Sequence, residues 1–204
     1  MDIDLQTLPP RDIYGFMIQA ILPRPIAWVL SDNGTGSYNL APFSYFNGVS
    51  SRPPTLSISI GKKRGGSKKD TWRNIEERSH FVVHIAGADM APLVSATSAS
   101  LEFGESEIER NGIGLHQDPD WPLPRVAQAK IALLCERHQI VEIGDGPQGL
   151  VIGKILRAYL AEDIVGKDAD GDLSISVDAL NPLARLGGDD YAALAKPFTV
   201  SRPE

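Results

Sequence analysis

Short runs of apolar and β-favouring residues, separated by turn residues, dominate the chain and predict a mainly β protein. The clearest run is Thr55–Ile60, where polar and apolar residues alternate strictly, as in a half-buried strand. Pro53 and Pro54 mark its start, because proline donates no ladder hydrogen bond. The other predicted strands are Ala27–Leu30, Tyr38–Leu40, Phe81–Ala86, Val126–Ile143, Leu150–Leu160 and Ser174–Val177, the last being either a strand or a connector.

Turn and helix-boundary residues place short helices between these strands. Asp32–Gly36 and Gly144–Gly149 are rich in residues that tolerate positive φ, so each predicts a hairpin turn. The predicted helices are Asp70–Arg78 with Asp70 as its N-cap, Asp89 to about Ala99, Glu105–Arg110 ended by Asn111-Gly112, and a short one in the loop Pro182–Ala195. Helices that are few, short and not alternating with strands favour a closed or split antiparallel barrel over a doubly wound sheet.

Composition and charge indicate one globular domain, residues 1–204, that is not a general nucleic-acid binder. The chain has 204 residues and 42% apolar composition, enough for a single sizeable core. Its net charge of -6 lacks the clustered basic surface that nucleic-acid binding needs. The one basic cluster, Lys62–Lys69, is short and suits a single small anion.

Cysteine use and the lack of long apolar segments predict a cytoplasmic protein without a membrane partner. Cys135 is the single cysteine, which excludes an intrachain disulfide and fits a reducing compartment. It stands in an apolar run, so we expect a buried, inert thiol. No signal peptide is visible, and no apolar run approaches the ~20 residues of a membrane helix.

Several motifs that would indicate other chemistry fail on inspection. Asp168–Asp172 resembles a calcium loop, but its glycine comes too early, at position 4 instead of position 6, and no closing glutamate follows. The four histidines lack metal-ligand spacing, so no metal site is expected. No Gly-x-Ser-x-Gly nucleophile motif is present. Gly144–Gly149 has the Gly-x-Gly-x-x-Gly spacing, but it joins two predicted strands and opens no helix, so no Rossmann dinucleotide site is expected.

The order of motifs from Arg24 to Pro54 resembles the FMN-binding part of the flavin reductase-like family, which includes flavoredoxin-type proteins. This stretch reads RPIAWVL, a Gly-rich turn, NLAPFSYFNGVS and a Pro pair. Further resemblances follow in the family's order: Lys69–Ile75, Phe81–His84 (with Asn expected in place of His84), Leu134–Gly153, Asn181–Tyr191 and Phe198–Pro203. The resemblance implies an FMN-binding split β-barrel, a Greek-key antiparallel barrel with short peripheral helices.

For the FMN phosphate, the sequence points to Lys69, Asp70 and Thr71. The chain enters a helix there, and the free N–H groups and dipole of a helix start favour an anion. Lys69 adds charge, Thr71 adds a hydroxyl donor, and Asp70 is expected to cap and to contribute backbone contacts. By itself the pattern favours an ordinary capped surface helix after a solvated lysine loop, and the resemblance reverses that preference in favour of phosphate binding. Arg24 is a second candidate anion partner or a surface charge.

For the flavin ring and ribityl chain, the resemblance points to Asn39, Ala41, Pro42, Phe43 and Ser44. Small residues and proline let the backbone approach the ring edge, and the polar side chains can reach ribityl or phosphate oxygens. The alternative is a strand followed by a structural loop. Ser59 lies on the polar face of the next strand, so it faces either the same pocket or solvent.

The leading functional prediction is an FMN-dependent NAD(P)H:flavin oxidoreductase, in which a reduced nicotinamide passes a hydride to flavin N5. This step needs no side-chain acid or base, so no catalytic residue is named. Related short flavin reductases have Gly-Asp-His at the hairpin turn, whereas this chain has Gly144-Asp145-Gly146. The departure keeps two alternatives open: an electron-transfer flavoprotein served by a redox protein partner, and a non-enzymatic flavin or haem-binding module.

The resemblance also implies a homodimer. Split barrels leave apolar faces and strand edges that a second copy would cover. Phe43, Tyr45, Phe46 and Trp72 either contribute to that face or lie in the monomer core.

Overall fold

The computed structural model describes residues 1–63, 65–144, 148–201 and 203. The helices are α1 (Pro10–Ala20), α2 (Asp70–Arg78), α3 (Ala91–Ala96), α4 (Glu107–Asn111) and α5 (Val177–Leu180), with 3-10 turns at Leu5–Thr7, Ala88–Met90 and Glu162–Ile164. The strands are β1 (Arg24–Pro25), β2 (Ala27–Asp32), β3 (Tyr38–Phe43), β4 (Phe46–Ser51), β5 (Pro54–Gly61), β6 (His80–Ile85), β7 (Leu115–His116), β8 (Arg125–Val126), β9 (Ile131–Ile143), β10 (Gln148–Leu160), β11 (Val165–Lys167), β12 (Leu173–Ile175), β13 (Ala184–Arg185) and β14 (Tyr191–Ala192). The predicted mainly β class with short peripheral helices is confirmed.

Seven strands form one antiparallel sheet in the order β3-β2-β6-β9-β10-β5-β4. Because β3 also contacts β5, the sheet curls back on itself toward a barrel. The pairing of β9 with β10 runs from Ile131↔Leu160 to Ile143↔Gln148 and confirms the predicted long hairpin. Residues 145–147 of its turn, where the missing histidine was noted, lie outside the described residues.

Both faces of β2 are buried, which explains why its sequence is apolar throughout. Ala27 and Val29 belong to a core cluster that joins β2, β3, β5, β6, β9 and β10 with α2. Trp28 and Leu30 point the other way, into a second cluster that includes residues of α3 and α4. Full burial of each large apolar side chain contributes about 1.5–3 kcal/mol. The strand β2 therefore contributes to both core clusters and is a main source of stability for the fold.

The predicted alternation in β5 is confirmed. Leu56, Ile58 and Ile60 are at most 2% exposed, whereas Ser57 and Ser59 are partly exposed. Of the aromatic residues with two predicted placements, Phe43 and Trp72 lie in the same core cluster as these β5 residues, and Phe46 packs against it. Cys135 is fully buried there, as expected, and burial raises the pKa of its thiol.

The loop predicted after Leu40 is wrong, because the strand continues. β3 stays paired with β2 through Phe43, which lies opposite Ala27, and β4 follows after a two-residue turn. Pro42 is tolerated because β3 is the edge of the seven-stranded sheet. The small residues of this stretch therefore sit on a rigid strand.

The helix predicted within Pro182–Ala195 is wrong. The described structure of this segment has no helix; its β13 pairs with the distant β1 and with the nearby β14. The N-terminal helix α1 was not predicted, and none of its residues is buried. The long apolar run from Val126 divides into β8 and β9.

Within the described residues, no helix is long and apolar enough to cross a membrane. The same residues include no group of three side chains placed to hold a metal ion.

Candidate functional site

A cavity of about 700 Å³ opens between β3, the start of α2 and the segment that follows α3. This volume lies in the range of pockets that bury a cofactor-sized ligand. Its lining residues are Asn39, Ala41, Pro42, Phe43, Lys62, Lys63, Gly65, Lys69, Asp70, Thr71, Thr97, Ser98, Ala99, Ser100, Leu101 and Glu107.

One wall of the cavity is the second half of β3. Four of the residues predicted to contact a flavin ring, Asn39, Ala41, Pro42 and Phe43, line this wall together. As an edge strand, β3 has backbone groups on its free side that its partner β2 does not use. The wall therefore combines uncharged, largely flat side chains with backbone polar groups.

A second part of the cavity, its α2 end, is lined by Lys69, Asp70 and Thr71 at the start of that helix. Thr71 is 1% exposed, and its hydroxyl accepts a 2.8 Å hydrogen bond from the Asn39 side-chain amide. That contact ties the helix start to β3. No side chain caps the first turn of α2, so its leading N–H groups remain available to a ligand.

The prediction that Asp70 caps α2 is wrong. The N-cap position is Lys69, and Asp70 is the first helical residue. Its carboxylate instead pairs with the ammonium of Lys63 at 3.0 Å. This ion pair fastens the lysine loop to the helix and neutralises most of the negative charge that Asp70 brings to the cavity.

Lys69 supplies the cationic charge of this end. Among the described residues it forms no ion pair, and its ammonium lies 5.7 Å from the centre of the Phe43 ring. Although the residue is exposed overall, desolvation by the packed atoms around it lowers the pKa of the Lys69 ammonium. An anionic ligand beside Lys69 would offset this cost.

Two parts of the lining were not predicted from the sequence. Glu107, the first residue of α4, is 5% exposed and accepts a 3.0 Å hydrogen bond from the backbone N–H of Leu40. Burial raises the pKa of the Glu107 carboxyl, which favours its protonated form. No local signal marks it, because acidic residues are common in the first turn of any helix.

The second unpredicted part is the segment Thr97–Leu101, which follows α3. The Thr97 hydroxyl accepts a 2.8 Å hydrogen bond from the Trp28 indole and donates one of 3.0 Å to the Val94 carbonyl. The segment is thereby fixed to β2, and its small polar residues face the cavity. The sequence predicts a helix as far as about Ala99, whereas α3 ends at Ala96, and only the tertiary contacts show where the segment lies.

A smaller recess of about 160 Å³ adjoins the cavity. It shares Pro42, Phe43 and Ser98 with the cavity and is otherwise lined by Ile26, Ser44, Arg185 and Tyr191. Ser44, predicted to contact the flavin, therefore faces this recess. The residues of β13 and β14 reach the site only through the pairing of β13 with β1.

Arg24 and Ser59 lie outside the lining of the cavity. Arg24 is 4% exposed, so the alternative that it is a surface charge is wrong. Its guanidinium donates to the carbonyls of Ile21 and Leu186 at 3.1 and 2.7 Å and to the Ser44 hydroxyl at 3.3 Å. The Ser59 hydroxyl donates to the Gln148 side chain at 3.4 Å. Their contacts with a cofactor stay predictions, and the structure gives Arg24 a clear role in joining the strands.

His84 stands where the resemblance leads us to expect asparagine, and it is fully buried. Its Nδ1–H donates to the Trp28 carbonyl at 2.9 Å, and its Nε2 accepts from the Val126 N–H at 3.0 Å. Both contacts fit a neutral ring. Desolvation lowers the pKa of His84 to about 4. The imidazole is thus a neutral cross-link between strands.

Comparison with known proteins agrees with this arrangement. The flavin reductase like domain family matches residues 19–174. The structure is similar to nitrilotriacetate monooxygenase component B of Bacillus cereus, with a TM-score of 0.90 and 34% identity over 98% of both chains. It is also similar to the 2-nitrobenzoate 2-nitroreductase of Pseudomonas fluorescens, with a TM-score of 0.88 and 29% identity over 100% of this chain and 96% of that one. A split barrel domain protein from Shewanella frigidimarina matches in fold over 100% of both chains, with a TM-score of 0.84 and 20% identity.

The chain therefore belongs to the flavin reductase like domain family, and its predicted split-barrel fold is confirmed. This membership supports a flavin-related oxidoreductase that binds a flavin. The cavity between β3 and α2 is the place in this fold where the residues predicted for a flavin come together.

Proposed function

We propose that the protein binds FMN in the 700 Å³ cavity and acts as an NAD(P)H-dependent flavin oxidoreductase. The observation that carries the proposal is that one cavity combines cations and an open helix start with an uncharged strand wall. FMN likewise combines a dianionic phosphate, a polar ribityl chain and a flat ring. The family membership supports the same cofactor class.

At the phosphate end, the proposed ligands are the Lys69 ammonium, the Thr71 hydroxyl and the leading N–H groups of α2. Because the Thr71 oxygen already accepts from Asn39, its own proton remains available to donate. The helix dipole adds to the attraction for an anion. Each charge-assisted hydrogen bond contributes about 1.5–3 kcal/mol.

Two carboxyl groups near the proposed phosphate need an explanation. Asp70 is paired with Lys63 and so presents little net charge. Glu107 is buried, it accepts a hydrogen bond from the Leu40 N–H, and burial raises its pKa, which makes its negative charge less favourable than that of an exposed carboxylate. Both groups are therefore compatible with an anion in this cavity.

At the ring end, Pro42 and Phe43 offer a flat apolar surface beside the backbone of β3. When bound, FMN supplies the N5 atom that accepts a hydride from a reduced nicotinamide. The chain's own residues need only hold the two rings in contact and exclude water between them. No side chain is proposed as an acid or base.

We further propose that two copies associate. Helix α1 exposes Tyr14 and Phe16 at 57% and 44%, and the edge strand β4 exposes Val49 at 56%. A second copy would cover such apolar positions and the free edge of β4. Static light scattering should give twice the chain mass of 22.1 kDa.

The direct test is a visible absorption spectrum of the FMN-loaded protein, repeated without oxygen after NADH and then NADPH. Bleaching of the flavin bands is the expected result, and the faster donor is the preferred one. Bands that persist with both donors would replace the reductase with an electron-transfer flavoprotein served by a protein donor. A protein that binds haem but no FMN would leave only a binding module on this barrel.

A further inference from the structure

Arg24 and Arg185 lie directly opposite each other in the antiparallel pair of β1 and β13. Opposed residues of such a pair point to the same face, with their Cβ atoms about 4.5–5.5 Å apart, and like charges there are destabilising. Among the described residues, neither guanidinium forms an ion pair with a carboxylate. Two cations thus share one place in the fold without a counter-charge from that part of the chain.

Ser44 connects the two arginines to one recess. Arg24 donates to the Ser44 hydroxyl at 3.3 Å, and Arg185 and Ser44 line the same 160 Å³ recess. Arg24 is 4% exposed, donates to the carbonyls of Ile21 and Leu186, and supports Ser44 from outside the recess lining. Arg185 is the cation that an anion in the recess would meet.

The Arg185 guanidinium is held in place for such a contact. It stacks on the Tyr191 ring, with its central carbon 4.3 Å from the ring centre, and it donates to the Gly188 carbonyl. Stacking and a backbone contact restrict the side chain, so less freedom is lost when it binds a ligand. A planar guanidinium matches a carboxylate in shape and hydrogen-bonding pattern.

The other residues that line the recess indicate the apolar part of the ligand. Ile26, Pro42, Phe43 and the Tyr191 ring give the recess apolar walls, and an engineered cavity of about 150 Å³ is known to hold one benzene ring. Because the recess shares Pro42 and Phe43 with the cavity, its occupant would lie next to the proposed flavin ring.

From this juxtaposition we infer that the recess lined by Arg185, Ser44 and Tyr191 is a binding subsite for a single-ring aromatic carboxylate. The inference rests on the proposed function, because it places this acid beside a bound FMN. It assigns Arg185 as the residue that recognises the carboxylate, Tyr191 as the residue that positions Arg185, and Ser44 as a hydroxyl donor to the same group.

The test measures binding of benzoate to the FMN-loaded protein by flavin difference spectra and by calorimetry. Benzyl alcohol has the ring without the charge, and acetate has the charge without the ring. We expect benzoate to bind at least about tenfold more tightly than either, since one charge-assisted contact or one buried ring is worth that much. Equal binding of benzoate and benzyl alcohol would overturn the assignment of the carboxylate.

The key variant is Arg185→Gln, which is preferred to a change at the buried Arg24. We expect it to weaken benzoate binding about tenfold or more and to leave FMN affinity unchanged. The matched control is Arg157→Gln on β10, an exposed arginine 4.0 Å from Asp120 and outside both lining sets, which should change neither.

Three results would overturn the inference and leave the proposed function standing. Benzoate could bind Arg185→Gln as tightly as the wild type. The variant could lose NADPH affinity alone, which would mean that the nicotinamide dinucleotide binds in the recess. It could lose FMN affinity, which would place the flavin itself in the recess. A wild-type protein that binds no FMN would overturn the proposed function instead.

Discussion

The side-chain amide of Asn39 donates a 2.8 Å hydrogen bond to the Thr71 hydroxyl, and both residues are at most 3% exposed. This contact joins the edge strand β3 to the first turn of α2 and sets the spacing between the two walls of the cavity. Because the Thr71 oxygen accepts this hydrogen bond, the Thr71 hydroxyl can donate its own proton to a ligand.

Replacing Thr71 by valine should destabilise the protein, because Val has the same shape but leaves the buried Asn39 amide without its acceptor. A buried unsatisfied donor costs about 1–3 kcal/mol. Urea unfolding measures this loss in free energy of unfolding. Thr71→Ser keeps the hydroxyl and should retain most of the stability; equal losses in the two variants would refute the role of the hydrogen bond.

Replacing Lys69 by alanine should weaken FMN binding about tenfold to a hundredfold, the value of one charge-assisted contact. Flavin fluorescence titration measures the dissociation constant. Lys68→Ala is the matched control, because Lys68 pairs with Glu76 and lies outside the cavity lining. If Lys69→Ala and Thr71→Ala combined bind FMN as tightly as the wild type, the phosphate lies elsewhere.

Stability should fall as the pH drops from about 6.5 toward about 4, because the folded state keeps His84 neutral in that window. The unfolded chain takes up a proton there that the folded chain refuses, so the free energy of unfolding decreases. Between pH 7.5 and pH 5 the loss due to His84 should be about 2 kcal/mol. His84→Asn should unfold in urea with a smaller difference between these two pH values. An identical pH dependence in both proteins would contradict the neutral-histidine account.

Replacing Gly153 by alanine should destabilise the barrel by about 1–3 kcal/mol through overpacking. A Cβ at this position would lie 2.5 Å from the Cζ atom of the fully buried Phe81 ring. Gly166→Ala is the control, because a Cβ there has no neighbour within 4 Å. Thermal unfolding compares the two. Adding Phe81→Leu should recover part of the loss in Gly153→Ala, and no recovery would argue against the clash.

Local patterns predicted much of this fold. The alternation in Thr55–Ile60 predicted which β5 residues are buried, and the apolar runs of β2, β6, β9 and β10 predicted the main strands. Such patterns suffice because a strand with one buried face or two must have the matching period. The stop at Asn111-Gly112 was also readable, since Gly112 takes the left-handed conformation that ends α4.

The candidate site was predicted in part. The residues of β3 and of the α2 start were named from a family resemblance, and the structure brings seven of them to one cavity: Asn39, Ala41, Pro42, Phe43, Lys69, Asp70 and Thr71. Glu107 and Thr97–Leu101 were missed, because nothing in their local sequence distinguishes them from ordinary helix and loop residues. Arg185 and Tyr191 were named within a resemblance but could not be placed.

The chain's own patterns thus determined the strand content, the buried faces and the motifs that mark the family. Tertiary structure alone decided which distant residues meet. Arg24 lies opposite Arg185, which is 161 positions away in the sequence, and Leu40 contacts Glu107, which is 67 positions away. The physical reason is that periodicity reports a residue's exposure along its own element, whereas contact between elements depends on sheet order and register. Those are set by the packing of all the strands together.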